Sequence, residues 1–279
     1  MDRRSQIELV GRIIDMNAQR TTTLADDPLA IPAQNYTSDE HHALECAHLF
    51  RDQPVFGCLS VDVAEPGDSI TFESGGLPVV VVRAPDGAVR AYVNACRHRG
   101  APVARGHGHV SRTFSCPFHG WVYDIADGHL VGQPKSCGGF DALDATALGL
   151  RPLPVAEHNG IVAVQPTATS DGDLDVDVDA WLCGLAPELG ARAYGSLLPY
   201  RHAATTWRCN WKLLLDTFLE SYHVFALHRV SLGSFYLGIA SPFDAYGPHN
   251  RIVVPQTSIL QQVERPREEW ELLPYAVLQ

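Results

Sequence analysis

The sequence predicts an α+β fold, in which helices and antiparallel strands occupy separate stretches of the chain. Three observations support this fold class. Residues 5 to 17 have the apolar spacing of an amphipathic helix. Residues from about 55 to 164 form short β-branched runs separated by turns. Residues 211 to 219 again mix apolar and polar side chains in the manner of a helix.

Residues 1–52 are expected to form an N-terminal helical arm. Its first helix carries an apolar face made by Ile7, Val10, Ile13 and Ile14. A second helix is expected to start near Ser38, because Asp39 and Glu40 would lie in its first turn and interact favourably with the helix dipole.

Residues 53–166 are expected to form a small antiparallel barrel or sandwich. The run Pro78-Val79-Val80-Val81-Val82 has the length and composition of a strand, and Glu65-Pro66-Gly67-Asp68, Pro85-Asp86-Gly87 and Ala126-Asp127-Gly128 have those of turns. An acidic linker is expected over 167–195. Within it, the alternation from Asp171 to Asp177 leaves an edge strand possible.

Composition restricts the class of protein. The chain has 279 residues, of which 46% are hydrophobic, so it can bury a sizeable core. The formal charge of −11 gives no attraction for nucleic acid. No signal peptide or transmembrane helix is indicated, and the seven cysteines fit a reducing, cytoplasmic compartment better than a disulfide framework. Cys46, Cys58, Cys137, Cys183 and Cys209 are interpreted as ordinary thiols.

Two Cys/His pairs form the first chemical motif. Cys96-Arg97-His98 is followed, after seventeen residues, by Cys116-Pro117-Phe118-His119. Such a set can hold a Rieske [2Fe–2S] cluster, in which two thiolates bind one iron and two imidazoles the other, so that the centre relays electrons. The bare pattern could also hold one tetrahedral zinc ion, because Cys₂His₂ is a standard structural zinc set.

The residues around the two pairs favour the cluster. They read Asn94-Ala95-Cys96-Arg97-His98-Arg99-Gly100 and Cys116-Pro117-Phe118-His119-Gly120-Trp121-Val122-Tyr123-Asp124, with Gly128 following. This resembles the Rieske fingerprint of the aromatic-ring-hydroxylating oxygenases at nearly every position of both loops. The resemblance implies that Cys96, His98, Cys116 and His119 bind the cluster.

A second motif follows about a hundred residues later. Asp216, Glu220 and His223 are spaced to share one face of a helix, whereas His228 lies about 140° further round. Both imidazoles can therefore meet one metal ion only if the helix ends, kinks or bulges between them. Two imidazoles and a carboxylate are the ligands of non-haem Fe(II) oxygenases.

The segment from Asn210-Trp211-Lys212 to His228 resembles the catalytic iron motif of the same family. The resemblance implies that His223 and His228 are iron ligands. It also implies that Glu220, where the family often has Asp, bridges an iron-ligating histidine to a cluster histidine of the neighbouring subunit, which is expected to be His119. The implied catalytic fold is an antiparallel sheet around a long helix, of helix-grip or START-like type, and residues 196–279 are expected to be its N-terminal part.

The family's third iron ligand is an Asp far downstream of the two histidines. Only fifty-one residues follow His228. The available carboxylates are Asp244 and the acidic group Glu264, Glu268, Glu269 and Glu271, and none has the family's sequence setting. The chain is therefore expected to be a C-terminally truncated alpha subunit that ends within the catalytic sheet. Such a fragment could build the cluster yet fail to complete the iron site, and it would then be inactive alone.

The resemblance implies an oxidoreductase, a Rieske mono- or dioxygenase. Electrons would come from NAD(P)H through a reductase, with a ferredoxin as a further possible carrier, and the subunits would form a trimer. The first expected substrate is an arene or other apolar organic molecule, as in aromatic hydrocarbon catabolism, with dihydroxylation, monohydroxylation and oxidative demethylation all open. The alternatives are a Rieske ferredoxin-like electron carrier and a zinc-stabilised binding module. The other histidines are assigned no role: His41, His42, His48, His107, His109, His129, His158, His202 and His249.

Overall fold

The structure is a computed structural model that describes residues 1–140, 142–167 and 174–278. It contains two compact units. We call Asp39–Trp181 with Ala193–Ala203 the β unit, and Met1–Ser38 with Leu182–Arg192 and Ala204–Gln279 the mixed unit. The Asp171–Asp173 part of the expected edge strand lies outside the described residues.

The structure contains both helices and strands, as the α+β prediction requires. The helices are α1 Arg3–Gln19, α2 Gln34–Thr37, α3 Asp39–His48, α4 Val178–Leu182, α5 Ala186–Gly190, α6 Trp211–Phe218 and α7 Val224–Leu227. The strands are β1 Val55–Leu59, β2 Asp68–Ser74, β3 Leu77–Arg83, β4 Val89–Val93, β5 His107–His109, β6 Thr113–Ser115, β7 Val122–Asp124, β8 Leu130–Gly132, β9 Pro152–Leu153, β10 Val155–His158, β11 Ile161–Val164, β12 Phe243–Tyr246, β13 His249–Pro255 and β14 Ala276–Leu278. Single 3-10 turns or short 3-10 helices lie at Ser60–Val63, Ala145–Leu148, Cys183–Leu185, Tyr194–Ser196, Thr257–Glu264, Arg267–Glu269 and Leu273–Tyr275.

The β unit is built from three antiparallel sheets, with strand orders β1-β11-β10, β5-β2-β3-β4-β9 and β6-β7-β8. Strand β3 lies in the middle of the largest sheet and is apolar on both faces. Val80 and Val82 enter one core with Tyr123, whereas Val79 and Val81 enter a second core. The first core also contains the two cysteines of the Cys/His motif, so this motif is attached to a buried core of the unit.

The mixed unit packs α1 against an antiparallel sheet of order β12-β13-β14. Asp2 caps α1 by accepting a hydrogen bond from the Ser5 amide at 2.8 Å. Val10 and Ile13 are fully buried with Val253 of β13, which confirms the predicted apolar face. The second predicted helix is also present, because α3 begins at Asp39.

The expectation that Asp216, Glu220 and His223 share one continuous helix face is wrong. Helix α6 ends at Phe218, before Glu220, and a separate short helix begins at Val224. The Glu220 carboxylate accepts a hydrogen bond from the His223 amide at 3.1 Å, and buried Ser221 bonds to the Gly238 carbonyl at 3.2 Å. These side-chain bonds compete with the helical pattern and turn the chain inward.

The stretch expected to be a solvated acidic linker is partly structured. Within its described part, Val176 and Val178 are buried and two short helices, α4 and α5, follow. Among the described residues, no helix combines the length and apolar character needed to cross a bilayer.

Candidate cluster and iron sites

Two similar loops carry the Cys/His pairs in the β unit. In the first, the Cys96 amide bonds to the Ala101 carbonyl and the Gly100 amide returns to the Cys96 carbonyl, both at 2.8 Å. In the second, the Cys116 amide bonds to the Trp121 carbonyl at 2.7 Å and the Gly120 amide to the Cys116 carbonyl at 2.9 Å. Gly100 and Gly120 have φ of 74° and 71°, a conformation that glycine adopts without strain.

The loops bring the four predicted cluster ligands to one end of the core. Cys96 and Cys116 are each 3% exposed. The Nδ1 atoms of His98 and His119 lie 3.1 Å apart, which fits two ligands on one metal at bond lengths of about 2 Å. His98 also stacks on Trp121, with ring centroids 4.9 Å apart. Desolvation and the nearby His119 and Arg99 lower the pKa of His98, which favours the neutral imidazole that metal binding needs.

The spacing of the four donors bears on the zinc alternative. Ligands of one tetrahedral zinc ion lie about 3.3 to 3.8 Å apart. Among the described residues, the one group of three or more His, Cys, Asp or Glu donors that lie within 4.8 Å of one another is elsewhere, at Asp62, His107 and His202. The four predicted ligands therefore do not form the compact set that one tetrahedral ion needs, whereas a [2Fe–2S] cluster would need only the two thiols on one iron and the two imidazoles on the other.

Two residues of the motif have roles that the sequence reasoning did not assign. Tyr123 lies with its hydroxyl 3.1 Å from Cys96 Sγ and accepts a hydrogen bond from the Arg97 amide at 3.0 Å. Burial raises the pKa of Tyr123 well above its ordinary value, so the hydroxyl stays protonated. Asn94 accepts hydrogen bonds from the Val103 and Ala104 amides at 2.9 and 3.1 Å and fixes the first loop. In the sequence, Tyr123 and Asn94 stood out only as members of the motif that resembles the Rieske fingerprint.

The second site lies in the mixed unit at a cavity of about 260 Å³. His223 and His228 lie at this cavity with ring centroids 5.4 Å apart and the ring planes inclined by 71°. Glu220 hydrogen-bonds His223 Nδ1, which leaves Nε2 of His223 available as a ligand. Burial raises the pKa of Glu220, but the bonds from the His223 side chain and amide outweigh it, and the pKa lies below its usual value.

The structure gives the downstream carboxylates other partners. Asp244 is bound by Arg12 at 2.7 Å and by Arg251 at 2.6 Å. Asp216 accepts a hydrogen bond from the Tyr36 hydroxyl at 2.8 Å. In the described ranges, no carboxylate forms a close trio with His223 and His228.

Two family descriptions match the chain. Residues 53–143 match "Rieske [2Fe-2S] domain", and residues 195–274 match "Ring hydroxylating alpha subunit (catalytic domain)". A domain of the first kind holds an iron–sulfur cluster, and one of the second kind implies a mononuclear iron.

Curated relatives match most of the chain. It is 31% identical to the chloroplastic choline monooxygenase of Beta vulgaris over 223 residues, which are 79% of this chain and 48% of that protein. It is 30% identical to the carnitine monooxygenase oxygenase subunit of Escherichia coli strain K12 over 200 residues, which are 71% of this chain and 52% of that protein. The chain thus spans about half the length of these relatives.

Solved structures share the fold. A quaternary ammonium Rieske monooxygenase, whose study concerns carnitine oxidation and inter-subunit electron transfer, superposes with a TM-score of 0.69 at 23% identity, covering 87% of this chain and 64% of that one. Naphthalene 1,2-dioxygenase from Rhodococcus sp., bound to indole, gives 0.67 at 23% identity and covers 95% and 64%. The two domain matches, their order and these relatives together show that the chain belongs to the family of Rieske oxygenase alpha subunits.

Proposed function

We propose that this chain acts as the oxygenase component of a Rieske system, in which electrons pass from a [2Fe–2S] cluster to a non-haem Fe(II) that activates O₂ to oxidise a small organic substrate. The observation that carries the proposal is the pair of Nδ1 atoms of His98 and His119, 3.1 Å apart, above two buried cysteines. When bound, the cluster supplies single electrons and the iron supplies the site of oxygen activation.

In this proposal Cys96, Cys116, His98 and His119 hold the cluster. The two thiols lie inside the first core, where water is excluded, whereas the imidazoles lie at its edge. This arrangement would suit electron transfer, because the more exposed imidazoles would leave the histidine side of a bound cluster accessible to a redox partner while the buried thiols hold the other side.

His223 and His228 are proposed as iron ligands, and Glu220 as the residue that positions His223. A carboxylate on Nδ1 fixes the ring and makes Nε2 a stronger ligand. This contact also gives Glu220 one half of a bridge, and the other half would be His119 of a neighbouring subunit. The same proposal includes assembly of the subunits into a trimer. It also includes electron supply from NAD(P)H through a reductase, either directly or by way of a ferredoxin.

A metal and sulfide analysis tests the proposal against its alternatives. The protein is purified anaerobically, reduced with dithionite and examined by EPR, with iron and sulfide measured on the same sample. We expect the low average g value of a histidine-ligated [2Fe–2S] cluster, two sulfides and three irons per chain. Two irons in both the parent chain and the His223→Ala variant would instead indicate an electron carrier.

Two matched variants test whether the third iron is bound at His223. His223→Ala should remove one iron and leave the cluster signal intact, whereas His249→Ala, at a histidine outside both sites, should change neither. A colourless protein that contains zinc and gives no EPR signal would contradict the central proposal.

For the substrate we propose a quaternary ammonium compound. The two curated relatives described above oxidise choline and carnitine by name. The cavity at His223 has aromatic walls from Phe218 and Tyr236 and the carboxylate of Glu220 in its lining, groups that attract an organic cation. An arene is the second candidate, because the lining is largely apolar and a fold relative is a naphthalene dioxygenase.

A single-turnover assay separates the two candidates without the natural reductase. Iron-loaded, dithionite-reduced protein is desalted, mixed with O₂ and with L-carnitine, choline or naphthalene, and the products are identified by mass spectrometry. Oxygenation of a quaternary ammonium probe alone supports the first candidate, and oxygenation of naphthalene alone supports the second. Phe218→Leu should weaken turnover of the cationic probe more than that of the arene.

A further inference from the structure

Asp62, His107 and His202 form a group of three metal-ligating side chains in the β unit, which we call the histidine–aspartate trio. One ligand atom from each residue lies within 4.8 Å of the other two. His202 Nε2 is 3.3 Å from Asp62 Oδ1, and the rings of His107 and His202 have centroids 3.7 Å apart. Neither the proposed cluster site nor the proposed iron site uses any of these residues.

Local structure holds the carboxylate in place. Asp62 lies in the 3-10 turn Ser60–Val63, and its Oδ2 accepts a hydrogen bond from the Leu59 amide at 2.9 Å. Its side chain is only 11% exposed. One oxygen is thus fixed by the backbone, while the other faces His202. A ligating carboxylate oriented by such a bond is typical of metal sites.

The two histidines come from parts of the chain that are distant in sequence. His107 begins the edge strand β5, where it lies opposite Ile70 of β2. His202 belongs to residues 193–203, the second stretch of the β unit. The beginning of this stretch lies against the turn at Gly160, where an added Cβ would come within 2.2 Å of the Gly195 amide nitrogen.

The trio lies at the other end of that stretch. Between the two ends, Leu198 and Tyr200 are 89% and 99% exposed, so these side chains give the stretch little packing. An ion shared by His202, Asp62 and His107 would fix the stretch to both the 3-10 turn and the edge strand.

The donor types limit the ion to one that imidazole and carboxylate ligate. Two imidazoles and one carboxylate can hold Fe(II), as at the proposed iron site, or Zn²⁺, which leaves a fourth tetrahedral position for water. At zinc–ligand bonds of about 2.0 to 2.1 Å, two donors lie about 3.4 Å apart, close to the 3.3 Å between His202 and Asp62. We propose that Asp62, His107 and His202 bind a Zn²⁺ ion that holds residues 193–203 against the rest of the β unit.

Zinc binding to the whole protein tests the proposal. Cluster-containing protein is treated with EDTA, dialysed anaerobically against micromolar ZnCl₂, and its zinc content and thermal midpoint are measured while EPR checks that the cluster is intact. The unchanged protein should bind one more zinc per chain than His202→Ala, and zinc should raise its thermal midpoint but not that of the variant. Asp62→Asn and His107→Ala should each weaken zinc binding by at least about tenfold.

His109→Ala is the matched control. His109 lies two residues along the same strand and has its own carboxylate, Asp68, at 2.9 Å, but no third ligand in a described position. This variant should bind zinc as the unchanged protein does. Equal zinc content in the unchanged protein and His202→Ala, or an equal loss in His109→Ala, would overturn the proposal. Zinc at the other metal sites cancels in this comparison, because those residues are unchanged in every variant.

Discussion

The Tyr123 hydroxyl lies 3.1 Å from Cys96 Sγ inside the first core of the β unit. The Arg97 amide donates to the same hydroxyl oxygen at 3.0 Å, so the ring oxygen is held from both sides. With Cys96 as a thiolate, Tyr123 is the hydrogen-bond donor, and this bond stabilises negative charge on the sulfur.

Tyr123→Phe should therefore lower the reduction potential of the cluster. Losing a bond that favours the reduced, more negative state by about 1.4 kcal/mol lowers a one-electron potential by about 59 mV, so a shift of tens of millivolts is expected. Redox titration followed by EPR measures it. Tyr92→Phe is the control, because Tyr92 is also buried but bonds to the Ile125 carbonyl at 3.1 Å. An equal potential in both variants would contradict the prediction.

Glu220→Gln should lower iron affinity at the mononuclear site by about ten- to a hundredfold and leave the cluster EPR signal unchanged. The amide retains the size of the carboxylate but loses the charge that holds His223 Nδ1. Iron titration followed by metal analysis measures this effect. Asp216→Asn is the control, since its carboxylate bonds to Tyr36 instead. Full iron affinity in Glu220→Gln would contradict the proposal that Glu220 positions His223.

The ion pair between Arg83 and Glu157 predicts a pH dependence of stability. Glu157 accepts from Arg83 Nη2 at 2.9 Å, and Arg83 also donates from Nε to the Val63 carbonyl at 2.8 Å. The hydrogen bond from Arg83 lowers the pKa of Glu157 below its ordinary 4.5. The pair therefore stabilises the fold fully above about pH 4.5, and this stabilisation is lost as the pH falls through the lower folded-state pKa.

Glu157→Gln measures this contribution. At pH 7 the variant should lose about 2 kcal/mol of unfolding free energy, because a guanidinium that is mostly buried loses its charged partner. The difference should shrink when denaturant unfolding is repeated below the folded-state pKa of Glu157. Glu8→Gln, at an exposed pair with Arg4, should have a much smaller effect than Glu157→Gln at either pH, because water screens an exposed ion pair. A pH-independent loss in Glu157→Gln would show that the carboxylate charge is not responsible.

Gly128→Ala should destabilise the β unit by about 2 kcal/mol or more. Gly128 has φ of 78°, and a Cβ there would lie 2.7 Å from Cε1 of buried Tyr92. Gly87→Ala separates the two causes, because Gly87 has φ of 84° but no atom within 4 Å of the added Cβ. It should cost about 1 kcal/mol. Equal losses in denaturant unfolding would mean that contact with Tyr92 adds nothing.

The local sequence predicted much of what lies close together along the chain. The apolar spacing of α1, the strand at β3 and the turns at Gly67, Gly87 and Gly128 follow from side-chain periodicity and from glycine's freedom at positive φ. The cluster-ligand prediction rests on short loops whose glycines and ligands are neighbours, so their geometry is largely local.

Other features depend on contacts between distant residues. The helix at Trp211 stops before Glu220 because Ser221 bonds to Gly238 and Ser241, a constraint that helical spacing does not contain. His107 and His202 matched no ligand spacing, since they are 95 positions apart and meet where residues 193–203 lie against the rest of the β unit. The two Cys/His loops and the Glu220–His223 pair could thus be predicted from the sequence, because the residues of each are close together along the chain. The close approach of His202 to Asp62 and His107 and the partners of Asp244 arise from tertiary packing, because a folded chain brings together donors whose separation in sequence carries no periodic signal.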